Sequence, residues 1–217
     1  MGAKITQEDI MVLLNQLYNQ SIRGIAKVSP PIDVLANNYL EKSEDLEKAA
    51  RTFVNYQIVK CTTSGFITGL GGVITLPVAI PANIGSVMYV QMRMIACLAY
   101  MGGYDTDSDQ VQTLVYACLA GISIDQLLKG VGIQFGTKLT MAMVKKIPGS
   151  VLVKINQKVG FRFLTKFGTK GIINIGKAVP VIGGVISGGF DFAETRVIAD
   201  RAFKMFIKGD FDMDAKA

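Results

Sequence analysis

Apolar positions recur along this chain mostly at helical spacing. Near the start, Ile10, Leu13, Leu14, Leu17 and Ser21 fall on one helical face. Thr6 and Asp9 ahead of them have the spacing of a reciprocal capping pair, which predicts the helix start. That helix should end near Lys27, before Ser29-Pro30-Pro31, because proline cannot continue a helical ladder. A short helix is expected over about 32–40. Ser43, followed by Glu44 and Asp45, predicts the next start, with Leu46, Ala49, Ala50, Phe53, Val54 and Ile58 as its buried stripe.

This periodic pattern then gives way to a long neutral one. No charged residue lies between Lys60 and Arg93, and the stretch is broken by Gly65, Gly69, Gly72, Pro77 and Pro81. It is long enough for the roughly 20 apolar residues of a membrane span, but its prolines fall near the middle. The placement predicts a helical hairpin: one helix ending at 70–72, a tight apolar link, and a second helix starting at 81–83. The second helix carries Gln91 and Arg93 and ends at Gly102-Gly103. Gly65 with Gly69, Gly132 with Gly136, and Gly184 with Gly188 each have GxxxG spacing, which lets two backbones approach closely in lipid or in a packed core. Gly65, Gly69, Gly72, Pro77, Pro81, Gly184 and Gly188 are therefore candidates for membrane insertion or for close packing.

Beyond the hairpin, Thr106 and Asp109 read as a second capping pair, followed by a stripe of Val111, Leu114, Val115, Cys118, Leu119 and Ile122. Gly130, Gly132 and Gly136 loosen the next segment, and Pro148-Gly149 closes it. A basic helical segment is expected over 151–170 and a second apolar patch over 178–190. Asp191 and Glu194 read as a third capping pair, ahead of a helix that turns Phe192, Ala199, Ala202, Phe203 and Phe206 inward and stops at Lys208-Gly209. Alternating strand patterns bounded by turns are missing. The prediction is a compact all-α domain of eight to ten helices containing a Gly/Pro-broken apolar hairpin. Residues 1–59 form an N-terminal helical segment packed on a core domain of 60–209, and 210–217 a frayed tail.

Charge and composition add a direction to this fold. The net charge is +6, and between Asp125 and Asp191 the chain carries ten Lys or Arg and no acidic residue. Lys154, Lys158, Arg162, Lys166 and Lys170 are spaced by four, so on a helix they form a broad basic band, interleaved with Phe161, Phe163, Leu164 and Phe167. Such a band suits anionic phospholipid. Single-stranded nucleic acid stacking on Phe is a weaker reading, because no nucleic-acid module is visible. The chain has no His, which removes Ser-His-Asp and Cys-His catalysis and every imidazole metal site. Cys61, Cys97 and Cys118 have no CxxC spacing and read as buried thiols in a reducing compartment. GIINIGKA at 171–178 has part of a phosphate-loop pattern, but Ala178 replaces the magnesium-binding Ser or Thr. No cofactor or metal is expected. Arg93, Asp191 and Arg196 lie in apolar surroundings, and Arg93 or Arg196 is expected to pair with Asp191 as a structural ion pair. No apolar leader segment is read at MGAKITQEDI.

The blocks TGLGGVITLPVAIPANI (68–84), QMRMIACLAYMGGYD (91–105), INQKVGFRFLTKFGTKG (155–171) and VPVIGGVISGGFDFAETR (179–196), in this order, resemble the EcsC family. The resemblance covers about 60–217. It implies a bacterial protein facing the cytoplasm and linked to a membrane, beside an ABC transporter or secretion protein. It carries over no catalytic residue. The expectation is a non-enzymatic, amphitropic helical protein, peripheral at the inner face of the cell membrane, with a regulatory or scaffolding role. Two alternatives stand beside it: a His-independent hydrolase of lipid or phosphate esters, and a soluble protein-interaction module whose apolar stretch is its core.

Overall fold

Thr6 and Asp9 start the first helix as their spacing predicts. Asp9 N donates to Thr6 Oγ1 at 3.2 Å, and Thr6 N donates to Asp9 Oδ2 at 2.8 Å. These bonds, the one from the Thr6 main chain foremost, hold the Asp9 carboxyl below its usual value. In the computed structural model the described residues are 5–62, 82–130, 138–167 and 185–210, with the side chains of 61, 62, 82–84, 127, 130, 167 and 185–192 outside the description. They form helices α1 (Gln7–Arg23), α2 (Ile32–Leu40), α3 (Leu46–Thr62), α4 (Ala82–Met101), α5 (Asp109–Ala120), α6 (Ile124–Gly130), α7 (Met141–Lys145), α8 (Gly149–Phe167) and α9 (Val185–Phe206). Among the described residues extended pairing is confined to two isolated bridges, Ile25 with Ser29 and Lys138 with Asp210. The fold class is all-α.

Several helix ends differ from the expected ones, each for a local reason. α1 stops at Arg23 rather than near Lys27, because Gly24 takes φ +76° and Ile25 N turns to the Ser29 carbonyl. Asp45, not Ser43, caps α3: its carboxylate accepts from Glu47 N at 2.8 Å and Lys48 N at 3.2 Å, and it brings negative charge to the positive helix end. Ser43 is used in the turn before it, accepting from Asp45 N and donating to Asp45 O. Ser108 replaces Thr106 as the α5 cap, since Thr106 is buried and its carbonyl accepts from Tyr18 Oη at 2.7 Å. Asp191 lies inside α9, which starts six residues earlier, so the Asp191–Glu194 pair is no helix start. Leu46, placed in the buried stripe of α3, is 37% exposed. The expected α2, the start of α4 next to Pro81 and its end at Gly102-Gly103 all appear. The hairpin link at 63–81 lies outside the described residues.

α4 is the axis of the core. Every residue from Met88 to Ala99 is buried, because α1, α2, α3, α5 and α9 all pack around this helix. A fully buried Leu, Ile or Met side chain contributes about 1.5–3 kcal/mol, so this helix draws its stability from tertiary packing rather than from an amphipathic stripe. Its polar residues are matched inside the core. Gln91 Nε2 donates to Thr195 Oγ1 of α9 at 3.0 Å. Tyr89 Oη and Ser29 Oγ share a hydrogen bond of 2.7 Å. Arg93, 5% exposed, donates to the Ser21 carbonyl at 2.7 Å and to the Pro30 carbonyl. α4 ends in a tight reversal in which Tyr104 N reaches the Ala99 carbonyl at 3.0 Å. A Cβ at Gly102 would stand 2.1 Å from the Phe206 carbonyl oxygen, so glycine is what lets the ends of α4 and α9 meet. α8 lies outside this core, on α1 and α5. Gln7 Nε2 donates to the Gln157 carbonyl at 2.8 Å there, across the buried Gly160. No helix among the described residues is long and apolar enough to cross a membrane.

Two substitutions test this packing. Arg93→Met keeps volume but leaves two carbonyls without a donor, at about 1–3 kcal/mol each. It should lower the unfolding free energy by roughly 2–5 kcal/mol in a urea titration, whereas Arg196→Met on the surface should stay within about 0.5 kcal/mol. Equal effects would contradict the role given to Arg93. Gly102→Ala should cost about 1–3 kcal/mol through overpacking against main chain; a neutral result would show that the α4–α9 contact is loose.

Candidate docking surface

α8 buries one side and presents the other to solvent. Val151, Leu152, Ile155, Val159 and Phe163 point into the core at helical spacing. Ser150, Lys154, Gln157, Lys158, Arg162, Thr165 and Lys166 are exposed on the opposite side. Two large apolar side chains share that outer face: Val153, 55% exposed, and Phe161, 61% exposed. The helix carries no acidic residue. Lys145 and Lys146 continue the exposed positive charge at the end of α7. The outer face is thus a cationic surface with two apolar projections.

The expected basic ladder is largely assembled, with differences among its members. Lys154, Lys158 and Arg162 are exposed, while Lys166 pairs with Glu194 of α9. A pair this exposed contributes little to stability and is easily exchanged for another anion. Lys170 and the pattern at 171–178 lie outside the described residues, as do Gly65, Gly69, Gly72, Pro77, Pro81, Gly184 and the Gly132–Gly136 pair. Gly188 falls within α9. Of the three ion-pair candidates, Arg93 reaches main-chain carbonyls at the α1–α2 link and Arg196 is exposed on α9, so the two arginines are not brought together. The Asp191 side chain lies outside the description.

Sequence spacing missed a residue that belongs with the ladder. α5 ends at Gly121, in the left-handed region at φ +66°. The place a Cβ would occupy there is taken by Arg201 Nη1 of α9 at 2.5 Å, with Arg162 Nη2 of α8 at 3.6 Å. Two guanidinium groups from different helices therefore meet over one glycine at the carbonyl end of α5, whose partial negative charge favours them. Sequence separation hid this pair; the only signal was the glycine that ends α5.

A second surface feature is a cleft of about 740 Å³ between α3 and the end of α9, lined by Arg51, Lys138, Asp200, Phe203, Lys204 and Lys208 among others. Its charges are largely matched: Lys208 pairs with Glu47, and the Arg51 guanidinium lies 4.5 Å from the Phe203 ring centroid. Buried hydroxyls in the core are engaged in hydrogen bonds, as at Ser21, Thr195 and Thr113. Among the described residues no group of three His, Cys, Asp or Glu is placed to hold a metal ion. Burial pushes the Cys97 and Cys118 thiols up to about 12, with Arg93 and Arg201 respectively opposing it. Comparison with protein-family models, with curated proteins and with solved structures finds no match to this chain.

The thiols give a sharp expectation. In the folded protein Cys97 and Cys118 should resist alkylation near neutral pH and react once the chain is unfolded, as read by peptide mass mapping. Their folded values lie above the unfolded thiol value of about 8.5. Their contribution is therefore complete below that value and is lost as pH rises towards about 12. In that window each thiol should lower stability by about 1.4 kcal/mol per pH unit. Rapid labelling of either cysteine in the folded state would contradict the closed core.

Proposed function

We propose that this chain is a non-enzymatic docking module of the EcsC type. In this reading it rests peripherally on the anionic cytoplasmic leaflet of a bacterial membrane, through the outer face of α8, beside transport or secretion proteins. The observation that carries the reading is that face: Lys154, Lys158 and Arg162 exposed around Phe161 and Val153, on a helix without a single carboxylate. Juxtamembrane lysines and arginines contribute about 1 kcal/mol each against an anionic leaflet, and a projecting Phe adds apolar contact at the headgroup boundary.

The burial of α4 on every side supports a module whose apolar helices are core. That favours the interaction-module alternative over insertion for residues 88–99, and leaves surface contact as the way the described helices would meet lipid. The hydrolase alternative has less behind it, because Arg93 and Arg196 face different surroundings.

Co-sedimentation with vesicles tests the proposal. The protein should bind phosphatidylglycerol-containing vesicles, bind neutral phosphatidylcholine vesicles poorly, and be released by salt. Lys154→Glu with Lys158→Glu should weaken binding by more than about tenfold, from the loss of at least about 2 kcal/mol. Absence of binding to either vesicle would overturn the membrane reading and turn the search to acidic protein partners.

A further inference from the structure

We propose that Arg162 and Arg201 form a clasp for a phosphomonoester group, carried either by a lipid headgroup or by a free phosphate compound. The proposal deepens the docking reading and rests on it for the lipid source. It starts from the geometry at Gly121, where the two guanidinium groups approach one point from α8 and α9. Like charges this close repel, and the carbonyl end of α5 offsets that only in part.

No carboxylate completes the pair among the described residues. Asp125, the acidic residue closest to Gly121 in sequence, pairs with Lys129 at 2.6 Å. Asp200, beside Arg201 in sequence, lines the cleft with Lys138 and Lys204. Glu194 is taken by Lys166. Of the undescribed stretches, 63–81, 131–137 and 168–184 contain no Asp or Glu; the side-chain carboxylates outside the description are Asp191 of α9 and Asp212 and Asp214 of the tail.

The chemistry of the pair selects the ligand. Guanidinium presents a planar fork of donors that matches phosphate oxygens two at a time. A phosphomonoester has three free oxygens and carries about −1.5 to −2 charge near neutral pH. It can therefore engage both forks together, where a phosphodiester offers two free oxygens and a single charge. The exposed Phe161, adjacent to Arg162, would lie against the hydrocarbon edge of a headgroup held this way. Gly121 itself is called for by its left-handed backbone at φ +66°, and the Arg201 guanidinium lies in the space a side chain there would take.

The test compares the full chain with Arg201→Gln and Arg162→Gln, each first shown by its thermal melt to be folded. Vesicles of phosphatidylcholine with phosphatidic acid are set against vesicles with phosphatidylglycerol, matched for zeta potential. Inorganic phosphate is titrated in a separate arm by NMR. The wild type should bind the phosphatidic acid vesicles about tenfold more tightly than the matched ones, the worth of one additional charge-assisted contact. Arg201→Gln should lose that preference while still binding phosphatidylglycerol vesicles; Arg162→Gln, on the docking face itself, should weaken binding to both and lose the preference as well. Phosphate alone should shift the Arg162 and Arg201 side-chain signals. If phosphate shifts these signals but neither vesicle binds, the clasp stands for a free phosphate compound and the membrane reading fails. Equal affinity for the two vesicle types without a phosphate shift overturns the clasp, as does a parallel loss on both vesicle types in Arg201→Gln.

Discussion

A charged guanidinium sits in the middle of the most deeply buried helix, and the surrounding chain is arranged to hold it. Removing Arg93 from water costs several kcal/mol unless hydrogen bonds replace the lost hydration. The bonds it finds are carbonyls the helices cannot satisfy. Ser21 lies in the last turn of α1, and its natural partner, Ile25 N, is drawn instead to the Ser29 carbonyl. Pro30 lies just ahead of α2, where the ladder has not begun. One side chain of α4 thus satisfies the end of α1 and the approach to α2, and fixes the angle between them. Tyr89 adds the bond to Ser29, and Ser21 Oγ reaches back to the Tyr89 carbonyl. The apolar packing of α1, α2, α3, α5 and α9 around α4 closes over this polar seam.

With the core closed, the outer layer is free to carry the charge asymmetry of the sequence. α8 is attached by one side to α1 and α5, and its close approach to α1 is set by Gly160 against Gln7. Its other side does not contribute to the core, so its lysines, Arg162, Val153 and Phe161 answer to something other than folding. The same rigid attachment sets Arg162 opposite Arg201, which no local sequence feature foretells.

The fold was readable where one periodicity acts alone. The α1 stripe, the extent of α2, the glycine-proline limits of α4 and the inward positions Ala199, Ala202, Phe203 and Phe206 of α9 follow from spacing and from residues that cannot continue a helix, while the Phe192 side chain lies outside the description. Caps were less readable where two candidates stood close together. Ser43 lost to Asp45 because a carboxylate answers the helix end more strongly, and Thr106 lost to Ser108 because the fold uses Thr106 elsewhere. Leu46 shows that the right period does not ensure burial at the first turn. Within the site, the ladder was legible because helical spacing is local. The Arg162–Arg201 meeting was not, because it depends on where α8 and α9 cross the end of α5. The partner of Arg93 was missed for a similar reason: main-chain carbonyls leave no mark in the sequence.

The absence of tryptophan from the chain offers a direct probe of the docking face. Phe161→Trp places a single indole at the centre of the outer face of α8, and Val34→Trp serves as a control on exposed α2. Fluorescence is then read with anionic vesicles containing bromine-labelled acyl chains. Contact through α8 predicts a blue shift and quenching at position 161 and neither at position 34. Unchanged emission at 161 with the protein demonstrably bound to the vesicles would contradict the account.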